Sequence, residues 1–169
     1  MPTRLVVAHC LLVPLAACAS AAPPRAAGPD DLRSVAEGRA KELIREVAAE
    51  SGIRLATDWR VDAGGGQPLP IDLRIAETSY GIEWVGPQDR ADHGDVFPEP
   101  NGDDTLQVIP GVGDDREAHV LVLDHRSYRY DPDLERVQRG SPGVREVESR
   151  LRRDIRDYVR HIRDQGALP

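Results

Sequence analysis

The stretch Ala118-His119-Val120-Leu121-Val122-Leu123-Asp124 decides the fold. Its four central residues are apolar without a polar neighbour between them, so the segment has no solvent face and reads as a central strand buried on both sides. Working outward, Tyr80 to Val85 and Leu106 to Ile109 read as two further strands. Earlier still, Ile53, Leu55, Thr57, Trp59 and Val61 alternate strictly, Gly64-Gly65-Gly66 breaks the chain, and Ile71, Leu73 and Ile75 alternate again. That period of two predicts two half-buried strands. The charged stretch from Pro87 to Asp104 is rich in turn residues and has room for one short helical turn.

Helices bracket this block. Leu32, Val35, Ala36, Ala40, Leu43, Ile44, Val47 and Ala48 recur at helical spacing, with Asp30 or Asp31 as N-cap and Gly52 as the stop. At the other end Ser141-Pro142 supplies an N-cap and an N1 proline. Val144, Val147, Leu151, Ile155, Tyr158, Val159 and Ile162 then form an apolar stripe that closes before Gly166. The arginine-rich face of this last helix pairs with itself at i,i+4 on the sequence pattern, Glu146 with Arg150, Glu148 with Arg152 and Arg153 with Asp157. Strands grouped between two helices predict an α+β domain over residues 30–166, with about five largely antiparallel strands flanked by an N-terminal and a C-terminal helix.

Composition narrows the partners. A net charge of −7 makes an acidic body ill suited to nucleic acid. Both cysteines, Cys10 and Cys18, precede the domain, so the folded part forms no internal disulfide and depends on its core.

Residues 1–17 begin with a positive charge at Arg4, continue through the apolar run from Leu5 to Pro14, and end in small residues, which is signal-peptide architecture. The run is too short for the roughly 20 apolar residues of a membrane-spanning helix. Leu15-Ala16-Ala17-Cys18 resembles the bacterial lipobox, an aliphatic residue and two small ones before a cysteine. The resemblance implies cleavage before Cys18 and acylation of Cys18, with two or three chains holding the protein permanently to a lipid bilayer. Ala19, where aspartate would signal inner-membrane retention, points to the outer membrane. Ordinary secretion to the periplasm or beyond is the alternative, because Ala17-Cys18-Ala19 also fits a general signal-peptidase site. Residues 18–29 are small residues and prolines and read as a flexible tether. The closing stretch, residues 127–163, resembles uncharacterised lipoproteins of GC-rich bacteria, a likeness that transfers no role.

Chemistry-bearing groups are sparse. The acidic stretch Asp89, Asp92, His93, Asp95, Glu99, Asn101, Asp103 and Asp104 has oxygens enough for a hard cation but not the spacing of a calcium loop, and a solvated turn explains it as well. Glu117 and His119 stand on one strand face about 7 Å apart, whereas His125 lies roughly 20 Å further on by strand rise. A metal site would therefore draw on Asp92, His93, Asp95, Glu117 and His119 together. No Gly-x-Ser-x-Gly elbow is present, and neither Gly64-Gly65-Gly66 nor Gly111-Val112-Gly113 leads into a Gly-Lys-Ser helix, so no catalytic residue and no cofactor is expected. Tyr128 and Tyr130 place two rings on one strand face, a candidate platform for a partner. The leading expectation is a membrane-anchored cell-envelope lipoprotein whose domain binds an envelope protein or small ligand without catalysis. A metal-dependent envelope hydrolase using the acidic loop with Glu117 and His119, and a structural or assembly factor of an envelope complex, are the alternatives.

Overall fold

The computed structural model describes residues 28–101 and 105–168. The signal-peptide residues, Cys18, most of the tether, and Asp103 and Asp104 lie outside them. The elements in chain order are β1 (Arg33–Ser34), α1 (Glu37–Glu50), β2 (Leu55–Ala56), β3 (Trp59–Val61), β4 (Leu69–Ile71), β5 (Leu73–Ile75) and β6 (Tyr80–Val85). They continue with α2 (Pro87–His93), β7 (Gln107–Pro110), β8 (His119–Asp124), β9 (Arg129–Tyr130), α3 (Leu134–Gln138) and α4 (Val144–Asp164).

The main sheet runs β2-β5-β6-β8-β7. Every pairing in it is antiparallel except β6 with β8, whose parallel register sets Tyr80 beside His119 and Val85 beside Asp124. The fold is α+β. The apolar run Val120 to Leu123 behaves as its composition requires, because both faces of β8 are covered. Leu121 and Leu123, with Ile82 and Trp84 of β6, face Leu43, Ile44, Leu151 and Ile155 of the two long helices. Val120 and Val122, with Val85, face Val61, Leu69, Ile71 and Phe97 on the other side.

That second cover comes from a hairpin the sequence pattern does not show. The first alternating segment bends at Asp58, where φ is 62°, and the second bends at Asp72. Pairing continues in one register on both sides of the bends, Leu55 with Ile75 and Trp59 with Ile71. The outer halves, β3 and β4, thereby fold across the sheet. Gly81 makes this possible, since a Cβ there would stand 2.7 Å from Trp59 Cζ3 and 3.0 Å from Ile71 Cγ2. Gly81→Val should cost about 1–3 kcal/mol by overpacking. A chemical-denaturation midpoint unchanged from wild type would show that the hairpin does not press on the sheet.

The helix starts also shift. α1 begins at Glu37 rather than near Asp30, because Arg33 and Ser34 pair with Arg129 and Tyr130, and Val35 N–H donates to the Tyr128 carbonyl at 3.0 Å. Gly52, with φ of 69°, ends it as expected. α4 begins at Val144, capped by Gly143. Ser141 and Pro142 belong to the preceding turn, where Ser141 N–H donates to Arg136 and the Pro142 carbonyl accepts from Asp131. Arg160 pairs with Asp157 along α4, but Glu148, Arg152 and Arg156 bind across to α1 instead of the i,i+4 partners on their own helix. Arg39 holds Glu148, Arg152 holds Glu46, and Arg156 holds Glu50, so the two helices lie side by side in the same direction.

Candidate functional site

The residues expected to share a metal are not brought together. Asp92 and His93 lie on α2, which leaves the carboxyl end of β6, and Asp92 accepts a bond from Gln88 at 2.9 Å. Asp95 sits past the end of α2, beside Gly65 in the β3–β4 turn. His119 opens β8 at the opposite end of the parallel pair from α2, and its ring stacks on Tyr80 with centroids 5.4 Å apart. Five strand steps, about 16 Å, separate those two ends. Glu117 is exposed and its nearest charge is Arg116. Among the described residues no three His, Cys, Asp or Glu side chains are grouped so as to hold a metal ion.

Tyr128 and Tyr130 do not form an exposed platform either. Tyr128 is 5% exposed, its ring centroid 5.6 Å from that of Trp84, and its hydroxyl donates to Asp154 Oδ2 at 2.9 Å. Tyr130 is half-buried and packs on the helix-side core. β9 pairs with β1 and lies against α4, which leaves no open face carrying both rings.

Polar side chains do converge at the carboxyl end of β8. The last residue of the strand, Asp124, is buried, and Arg90 from α2 donates to its Oδ2 from both Nε and a terminal nitrogen, at 3.1 and 2.6 Å. Arg126 grips both carboxylate oxygens and also donates its backbone N–H. Burial alone would raise the Asp124 carboxyl, but the bonds from Arg126 and Arg90 outweigh it and hold the group below the usual carboxylate range. Arg90 further donates to the carbonyls of Phe97 and Pro98, tying the loop after α2 to the strand end.

Beside this hub opens a cleft of about 330 Å³. Its walls are the turn from Asp124 to Tyr128, the side chains of Asn101, Thr105 and Gln107, and Arg150 and Asp154 of α4. Tyr128 stays a protonated donor there, since burial and then the neighbouring Asp154 push its phenol upward. Asp154 is raised by burial in spite of the Tyr128 hydrogen bond. Arg150 donates to the Ser127 carbonyl and lies over the Tyr128 ring at 5.5 Å. It also lines a neighbouring hollow of about 390 Å³ with Pro142, Glu146 and Arg153.

A second buried carboxylate stands away from the cleft. Glu83, in the middle of β6, is 4% exposed and accepts from Asp72 N–H at 2.7 Å, while Asp72 accepts from Trp84 N–H at 3.1 Å and holds Lys41 at 2.6 Å. β4 turns away from β6 at this level, so the two carboxylates replace ladder bonds lost at the bend. Burial first, and the charge of Asp72 next, push the Glu83 carboxyl up to about 9.

The sequence pattern overlooked Asp124, Arg126, Arg150 and Asp154 because each reads as a strand end, a turn or a solvated helix position. The one available signal was Asp124 itself, an acid closing an unbroken apolar run and followed by His125-Arg126. Fold and cleft together describe an α+β domain with a small polar pocket at its strand ends. Comparison with protein-family models, with curated proteins and with solved structures finds no match to this chain.

Proposed function

We propose that this chain is a cell-envelope lipoprotein, anchored through acylated Cys18 to the outer membrane, whose domain is a non-catalytic module that binds a small ligand at the cleft beside α4. The cleft is the observation that carries the binding role. About 330 Å³ falls within the range of small-molecule sites. Its acids are engaged by the protein's own groups: Asp124 is saturated by two arginines, and Asp154 accepts from Tyr128. Such an arrangement suits holding a molecule better than transferring a proton. The metal-dependent hydrolase loses its support because Asp92, His93, Asp95, Glu117 and His119 do not meet.

The lipobox supports the anchor, and the small-residue stretch after it suits a tether. Cys18→Ser should move the protein from the membrane pellet to the soluble fraction of the envelope, with the N-terminal acyl mass lost from the mature chain. Wild-type protein with an unmodified Cys18 thiol would overturn the anchor. For the binding role, side-chain chemical shifts of Arg150 and Tyr128 should move when a mixture of small envelope metabolites is titrated in. Shifts that move only outside the cleft would overturn it.

A further inference from the structure

The arginines of the cleft are not equally engaged. Arg90 and Arg126 are bound to Asp124, and Arg126 reaches Glu99 as well, at 3.1 Å. Arg150 differs: it makes a hydrogen bond to the Ser127 carbonyl and a cation–π contact with Tyr128, and no carboxylate lies within ion-pair distance of it among the described residues. A guanidinium carries five N–H donors, so most of those on Arg150 are unspent.

The support under it is rigid. Tyr128 is buried against Trp84 and pinned through its hydroxyl to Asp154, so Arg150 rests on a fixed ring and its hydrogen bond fixes its rotation. An arginine held this way needs little further ordering to accept a planar or tetrahedral oxyanion through paired N–H groups. Of the acids on the same walls, Asp154 is coupled to the charge of Arg150, a pull it divides with Arg153. Asp124 is matched by Arg90 and Arg126, and Asp154 sits beside Arg153 while accepting from Tyr128.

We propose that the cleft takes a small anion, a molecule bearing carboxylate or phosphate, bound by Arg150 on its Tyr128 seat with the Ser127 hydroxyl as a flanking donor. This rests on the cleft being a ligand site, and it names the ligand's chemistry. The body around it is acidic, with a net charge of −7, so anion binding should be confined to this locus rather than spread over the surface.

The test uses the intact chain in detergent and four probes: inorganic phosphate, citrate, choline and N-acetylglucosamine. Phosphate or citrate should shift the Arg150, Ser127 and Tyr128 resonances with a saturable curve. Arg150→Gln should weaken that binding by about tenfold or more, as expected for the loss of a charge-assisted bond. Arg150→Lys should restore part of it, and Arg145→Gln, at the exposed start of α4, should leave it unchanged. Circular dichroism and the Trp84 resonance report whether each variant keeps its fold. Shifts in the cleft caused by choline or the neutral sugar, with none from the anions, would overturn the anion assignment and keep the binding role. Anion shifts equally strong in a folded Arg150→Gln would overturn the assignment of Arg150. Cleft resonances unmoved by all four probes would overturn the inference as a whole.

Discussion

Asp124→Ala should lower the stability of the domain by about 3–5 kcal/mol, the usual cost of removing one partner from a buried ion pair. The side chain of Asp124 is 1% exposed and that of Arg90 is 13% exposed, so Arg90 would be left charged and largely cut off from water. Arg126 is more open and can turn to solvent, so it contributes less to the loss. Asp124→Asn keeps the shape and one oxygen acceptor and should lose less than the alanine variant. The same pair sets an acid dependence. The folded-state carboxyl of Asp124 is held below its unfolded value, so its contribution is present above about pH 4 and fades as the pH falls through the folded value. Urea denaturation of both variants at pH 7 and again at pH 3.5 measures this, and the gap between wild type and Asp124→Ala should narrow at the lower pH. A loss under about 1 kcal/mol at pH 7 would mean that Arg90 finds water or Glu99 instead, and that Asp124 does not organise the strand end.

The legible parts of this molecule are those set by local period. The unbroken run Val120 to Leu123 announced an inner strand because no polar residue offered it a solvent face. The stripe from Val147 to Ile162 announced α4 because its apolar residues return each turn, and all the buried positions of that helix lie on it. What stayed illegible depends on neighbours distant in sequence. Residues Arg33 and Ser34 have a helix-compatible pattern, but pairing with Arg129 and Tyr130 claims their backbone. The fold of β3 and β4 over the sheet turns on a left-handed residue at Asp58 and on the missing side chain at Gly81, neither visible as periodicity. The sequence pairs the charges of α4 along the helix, because nothing local to it shows α1 as a parallel neighbour. The metal candidates clustered in sequence or along one strand, yet β6 and β8 run parallel, which sets α2 and His119 at opposite ends of the pair. The cleft was hidden for the same reason: Arg126 and Arg150 are 24 positions apart and meet only when α4 lies against the end of β8.

Glu83 should give the protein an unusual alkaline weakness. Its folded-state carboxyl is raised to about 9 by burial, with the charge of Asp72 adding to it, against about 4.3 in the unfolded chain. A raised acid is neutral in the fold and ionised in the unfolded chain across that interval. Its contribution is therefore complete below about pH 4 and is lost as the pH climbs toward 9, by as much as about 1.4 kcal/mol per pH unit. Asp124 and Glu83 thus slope in opposite directions, one failing in acid and the other in base, and their overlap favours a stability maximum on the acid side of neutrality. Glu83→Gln separates the two. The amide is uncharged at every pH and keeps an oxygen for the Asp72 N–H, so the variant should stay within about 1 kcal/mol of wild type near pH 5 and exceed it by several kcal/mol near pH 9. Glu83→Ala also removes the slope but leaves the Asp72 N–H without its acceptor, costing about 1–3 kcal/mol at pH 5, where Glu83→Gln costs little. Parallel pH profiles for wild type and Glu83→Gln from pH 5 to 9 would mean that this carboxyl ionises in the fold as freely as in water. In that case the bend at Asp72 would be held by Lys41 and the Asp72 side chain without any contribution from a neutral acid in β6.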